Sequence, residues 1–177
     1  AGLPASTYSL LVTDDNGCVF SFADLAVITE PPLLEANLTK TDISCFDDGN
    51  GSITVTATGG SGSYVYSSDG STYQAGDTFA PLIPGHYTIW TRDDNACVTT
   101  DTIIILEPEE ILIPEEIASY LCHGALQGEI SINGVSGGVG SHQYSINGGT
   151  DFSPGNEFTG LDPGCHQTVI RDASGCL

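Results

Sequence analysis

Six cysteines are the residues of this chain with the clearest capacity for chemistry, and three of them keep a strict interval. Cys18, Cys97 and Cys176 are evenly spaced, since 97 − 18 and 176 − 97 both give 79. Each closes the same phrase: Tyr8 to Asp14-Asp15-Asn16-Gly17-Cys18, Tyr87 to Asp93-Asp94-Asn95-Ala96-Cys97, and His166 to Asp172-Ala173-Ser174-Gly175-Cys176. Cys45 returns as Cys122, 77 positions on. Cysteines bracketing a repeated unit suggest one disulfide per unit, Cys45 with Cys97 and Cys122 with Cys176, and an oxidising, extracellular or surface location. Closing a loop of that size stabilises a domain by about 4 kcal/mol in the chain-entropy model. Cys18 would then pair upstream, and Cys165, whose matching position is His86, is left as a free or buried thiol. The other reading of the same residues is that they are small core thiols.

Other reactive-looking groups carry less. Asp47-Asp48-Gly49-Asn50-Gly51 gathers oxygens that suit calcium, the one cofactor the chain leaves open, but it lacks the closing acid of an EF-hand. Its counterpart Gly124-Ala125-Leu126-Gln127-Gly128 has lost both acids, which favours a solvated turn. Cys122-His123 and Cys165-His166 lack the Cys-x-x-Cys spacing of zinc sites. His86, His123, His142 and His166 fall at positions where the other copies have no histidine, so no nucleophile, base and orienting group recur together. No residue is assigned to catalysis, to a cofactor or to a metal, and the chain reads as a non-enzyme. The recurring first Asp of each Asp-x-x-x-Cys turn, beside Arg92 and Arg171 in two copies, reads as a turn cap or a local ion pair.

Only Lys40, Arg92 and Arg171 oppose 23 carboxylates, and the net charge of −20 excludes nucleic acid and anionic membranes as natural partners. No apolar run approaches the roughly 18 residues that insertion into a membrane requires, and no signal-peptide pattern is visible.

The elements that would position these residues are strands. Ile53, Val55 and Ala57 alternate with Ser52, Thr54, Thr56 and Thr58, the period of a strand half-buried against a core. Further strands are expected at Ala36 to Thr41, Tyr64 to Tyr66, Thr78 to Leu82, Tyr87 to Thr91 and Val98 to Leu106, with turns at Asp69-Gly70 and Asn147-Gly148. Such a set suits an all-β fold of tandem immunoglobulin-like antiparallel β-sandwiches. Leu82-Ile83-Pro84-Gly85-His86-Tyr87 resembles a tyrosine corner, with Tyr8 and His166 at the equivalent positions. Trp90 falls on the opposite parity to Ile89. A stacking surface of Tyr64, Tyr66, Tyr73 and Trp90 is the alternative that would make a unit a polysaccharide-binding module.

Glu30-Pro31 and Glu107-Pro108, again 77 apart, read as short stiff junctions. They divide the chain into residues 1–31, the C-terminal part of one repeat, residues 32–108, a complete repeat, and residues 109–177, a repeat lacking its last strand. Both ends contain the Tyr-to-Cys segment, so they overlap rather than complete one another. The phase of the repeat is that of a slice from a longer rod of units leaning on their neighbours.

Cys45, Gly51-Ser52-Ile53-Thr54-Val55-Thr56, Gly59-Gly60-Ser61-Gly62-Ser63-Tyr64, Pro84-Gly85-His86-Tyr87, Asp93-Asp94-Asn95-Ala96-Cys97 and Ile105-Leu106-Glu107-Pro108 together resemble the SprB-type repeat of gliding-motility adhesins. The resemblance implies a very large filamentous adhesin on a bacterial surface, exported by the type IX secretion system. Its partners would be neighbouring repeats, an extracellular surface or polysaccharide, and the secretion and gliding machinery. A non-catalytic spacer of a giant secreted enzyme is the further alternative. Under the same resemblance, Asp101-Thr102-Ile103 is similar to an O-glycosylation acceptor, with Thr102 as the modified residue.

Overall fold

A computed structural model describes residues 2–113, 115–119 and 128–177. The strands, numbered in chain order, begin with a hairpin of β1 (Ser6–Thr13) and β2 (Val19–Ile28). The middle repeat holds β3 (Glu35–Thr41), β4 (Gly51–Thr58), β5 (Val65–Ser67), β6 (Thr78–Leu82), β7 (Gly85–Arg92) and β8 (Val98–Ile105). The third holds β9 (Glu115–Ser119), β10 (Gly128–Asn133), β11 (Gln143–Ser145), β12 (Glu157–Leu161) and β13 (Val169–Arg171). Every strand expected in the middle repeat is present, with ends moved by at most two residues. The described residues contain no helix, and so none long and apolar enough to cross a membrane.

In the middle repeat two antiparallel sheets, ordered β3-β4-β6 and β5-β7-β8, meet across one core. Alternation in β4 turns Ile53 and Val55 inward, while alternation in β7 turns Ile89 and Thr91 inward. Tyr66 from β5, Ile105 from β8 and Ile43 complete the buried cluster. Burial of each such side chain contributes about 1.5–3 kcal/mol, so the unit is held chiefly by β-branched residues on facing strands. The third repeat builds the same arrangement from β12-β10-β9 and β11-β13 around Ile130, Ile132 and Ile170.

β1 and β2 correspond in sequence to β7 and β8, and pair over nearly the same length. Around β7 and β8 the second sheet covers the apolar side chains. In the first hairpin Leu10, Val12, Phe20 and Phe22 are exposed.

The strand directions define two poles for the middle repeat. β3 runs toward the pole where the chain leaves, because the Ile43 amide donates to the carbonyl of Leu106, just beyond β8. β7 runs the other way, antiparallel to β8, and ends at the pole where the chain arrives beside Pro32. The cysteine loops therefore lie at opposite ends.

The corner residues recur with changed chemistry. The hydroxyls of Tyr8 and Tyr87 donate to the carbonyls of Pro4 and Ile83, at 2.7 and 2.9 Å. His166 makes the equivalent bond through Nε2 to the carbonyl of Asp162 at 3.0 Å, four residues upstream as in the other two. A carbonyl only accepts, so Nε2 carries the proton. Histidine thus replaces tyrosine without loss of the tie. Replacing His166 by Tyr should leave the urea unfolding midpoint of the chain almost unchanged, whereas His166→Phe should lose about 1 kcal/mol, the usual net worth of one hydrogen bond.

Candidate functional site at the junction between repeats

The first aspartate of each cysteine turn organises the arriving pole. Asp93 and Asp172 are 3% and 2% exposed, deep for acidic side chains. One carboxylate oxygen of Asp93 accepts from the Cys97 amide at 2.8 Å and the other from the Ser61 amide at 2.9 Å. Asp172 repeats this with Cys176 at 2.9 Å and Val139 at 2.7 Å, and adds Ser174 at 2.8 Å. In the first repeat Asp14 likewise accepts from Cys18, at 2.8 Å. Burial opposes the charged form of Asp172, but the amides of Val139, Cys176, Ser174 and Gly175 outweigh it and hold the carboxyl below its ordinary value.

What the carboxylate reaches is the glycine loop. Gly60 donates to the Pro32 carbonyl at 2.8 Å and Gly138 to that of Glu109 at 2.8 Å, so the loop grips the junction segment as it enters each repeat. Gly59 and Gly137 have φ of +73° and +81°, and a methyl group there would collide with the carbonyls of Leu33 and Glu110. Two constraints at one position explain the glycine: a left-handed backbone and a neighbour too close for a side chain. Tyr64 fastens the loop through its hydroxyl to Gly59, and His142 does so in the third repeat through Nε2 to Gly137.

The cysteine turn of the third repeat then reaches back across the junction. Cys176 is disulfide-bonded to Cys45 of the middle repeat, 131 residues earlier, with Cα atoms 5.5 Å apart. The bond borders a cleft of about 150 Å³ whose walls include Phe46, Pro108, Glu109, Ile111 and Leu177. On the departing side, the Asp47 amide donates to the Glu107 carboxylate, and Asp42, paired with Lys40 at 2.8 Å, accepts from Leu106. The junction segment is thus held by the repeat it leaves, by the repeat it enters, and by a covalent bond beside it.

This corrects the expected pairing of Cys45 with Cys97 and of Cys122 with Cys176. Cys97 precedes β8 and Cys45 lies beside its far end. An eight-residue strand at about 3.3 Å per residue separates them by about 25 Å, while a disulfide needs Cα atoms within about 7 Å. Cys97 is a free, exposed thiol, as are Cys18 and Cys165. Cys122 and His123 lie outside the described residues.

Residues 37–72, from within β3 to the turn after β5, match the family model of the SprB repeat. No curated protein and no solved structure matches the chain. SprB repeats are a non-catalytic family associated with the cell surface, and the disulfide agrees with an extracellular environment.

The remaining candidate residues are dispersed. Asp48 accepts from the Ser44 hydroxyl and the Asn50 amide, so the acidic turn is knitted by its own donors, and no group of three or more metal-ligating side chains occurs among the described residues. Tyr66 is in the core and Tyr64 ties the glycine loop, which separates both from Tyr73 and Trp90. Arg92 stacks over Tyr73 at 3.9 Å and Arg171 over Phe152 at 4.1 Å, so neither arginine pairs with the aspartate beside it. Thr102 is exposed on β8, opposite Thr88.

Because the Asp172 carboxyl is depressed in the folded chain, its contribution is complete above the ordinary carboxylate value and is lost as pH falls through the lower, folded value. Unfolding free energy should therefore plateau above about pH 4 and fall below it. Asp172→Asn, which turns an acceptor into a group with its own N–H donors, should lower the plateau by about 3 kcal/mol and flatten the acid slope in urea titrations at several pH values.

Proposed function

We propose that this chain is a structural and adhesive region of a large filamentous adhesin on a bacterial surface, serving attachment and gliding. The observation that carries this reading is the covalent bond between successive repeats. Tension applied to the ends of the chain passes through Cys45–Cys176 and bypasses the residues between them. What recurs besides is scaffolding: the buried aspartate, the glycine grip, the corner tie and the proline-marked junction. Such joints support a tandem rod of stiff-jointed units, divided at residues 31/32 and 108/109.

The SprB likeness supplies the finer expectations: export by the type IX system, motion driven by the gliding machinery, and an extracellular surface or polysaccharide as the thing attached to. The net charge of −20 keeps parallel filaments apart. Thr102, exposed on a strand, is accessible to a glycosyltransferase.

In-frame removal of residues 32–108 from the full-length gene is the test. Cells should still display the protein and still attach, with a filament shortened by one unit. Attachment lost despite normal display, together with binding of an isolated unit to surface polysaccharide, would make the repeat a ligand-binding module instead.

A further inference from the structure

We propose that the cysteines of this array are paired one repeat out of step throughout, the first cysteine of each unit with the second cysteine of the next. Cys97 is then the attachment point for the unit before it. The inference rests on the reading of the chain as part of a tandem array, and deepens it from repetition to covalent stitching.

Cys97 and Cys176 close the same turn: the carbonyl of each accepts from the amide of its aspartate, at 3.1 and 3.0 Å, and its own amide donates to that carboxylate at 2.8 and 2.9 Å. Both turns are anchored to a glycine loop that holds an arriving junction segment, Pro32 in one repeat and Glu109 in the other. One of the two cysteines is bonded to the preceding unit. The other presents an exposed thiol at the same place on the same pole.

Polarity supplies the second step. Within a unit the two cysteines are separated by the length of β8, so each thiol can be reached only by a neighbour. Counting the observed interval of 131 back from Cys97 gives 97 − 131 = −34, so its partner is a cysteine in the Cys45 position of the adjoining unit. The same rule sends Cys122 forward, to the second cysteine of the unit that follows. Cys165, absent from the other repeats, stays outside the series and remains a thiol.

The bond-forming step needs an oxidant. A disulfide-donating oxidoreductase of the export compartment supplies it. One thiolate attacks the donor disulfide, the second thiolate resolves the mixed disulfide, and the donor leaves as a dithiol carrying the two electrons and two protons removed from the repeats.

Mass mapping of the unreduced, thiol-blocked full-length protein from the cell surface tests the rule. The Cys97 peptide should be recovered joined to a peptide bearing the first cysteine of the preceding unit, and Cys97→Ser should make that one cysteine newly reactive to the blocking reagent. Recovery of Cys97 blocked as a free thiol, or joined to Cys45, overturns the proposal. If first-cysteine peptides of other units are present, a free Cys97 overturns the stitching and leaves the array standing. If the digest contains no such peptides, the array reading falls and the stitching with it.

Discussion

The carboxylate buried at the head of each cysteine turn is the interaction on which the rest of this structure depends. Asp172 joins three backbone segments through hydrogen bonds alone: its own turn, the glycine loop, and through that loop the incoming junction. A charged group in so enclosed a place is unstable unless its oxygens are satisfied, and amides from segments distant in sequence satisfy them. Once the carboxylate is placed, the cysteine that follows can project in only a narrow range of directions. The position of the disulfide is thus a consequence of a polar contact inside the unit. Asp93 builds the same frame in the middle repeat, and Asp14 holds the same turn in the first.

That frame also gives the unit a direction. The pole where the chain arrives holds the carboxylate, the glycine grip and the second cysteine; the pole where it leaves holds the first cysteine and the end of β8. A repeat built this way has unlike ends, and the departing pole of the middle repeat is bonded to the arriving pole of the third. Because the linking bond lies beside the peptide junction, the two connections together restrict bending between units more than either does alone.

The strands were legible in the sequence because half-buried strands must alternate, and Ile53, Val55 and Ala57 do so without interruption. The tyrosine corner was legible for the same local reason. The disulfide was not, because its pairing depends on which pole each cysteine occupies, and that depends on how many times the chain reverses. The short return of Gln74 against Tyr66 of β5, a single antiparallel bridge, provides the reversal that separates Cys45 from Cys97. Position within the repeat pointed to a bond inside the unit, whereas the same spacing is equally compatible with a bond to the next. The histidines show a related limit of comparison by residue type. His142 and His166 stood out as unshared residues, yet each does the work of a tyrosine, donating to one carbonyl from a ring of similar reach. Comparison by residue type hides an equivalence of hydrogen bonding.

The central claim is that the covalent bond spans the junction and takes the load off the residues it encloses. Single-molecule extension of the chain from its two ends measures this directly. The enclosed segment is 131 residues, worth about 450 Å of contour length at roughly 3.3–3.6 Å per residue, so the reduced chain should extend about 450 Å further than the oxidised one. A difference of only about 180 Å, the length of the 97 − 45 = 52 residues between Cys45 and Cys97, or no difference at all, would contradict the account.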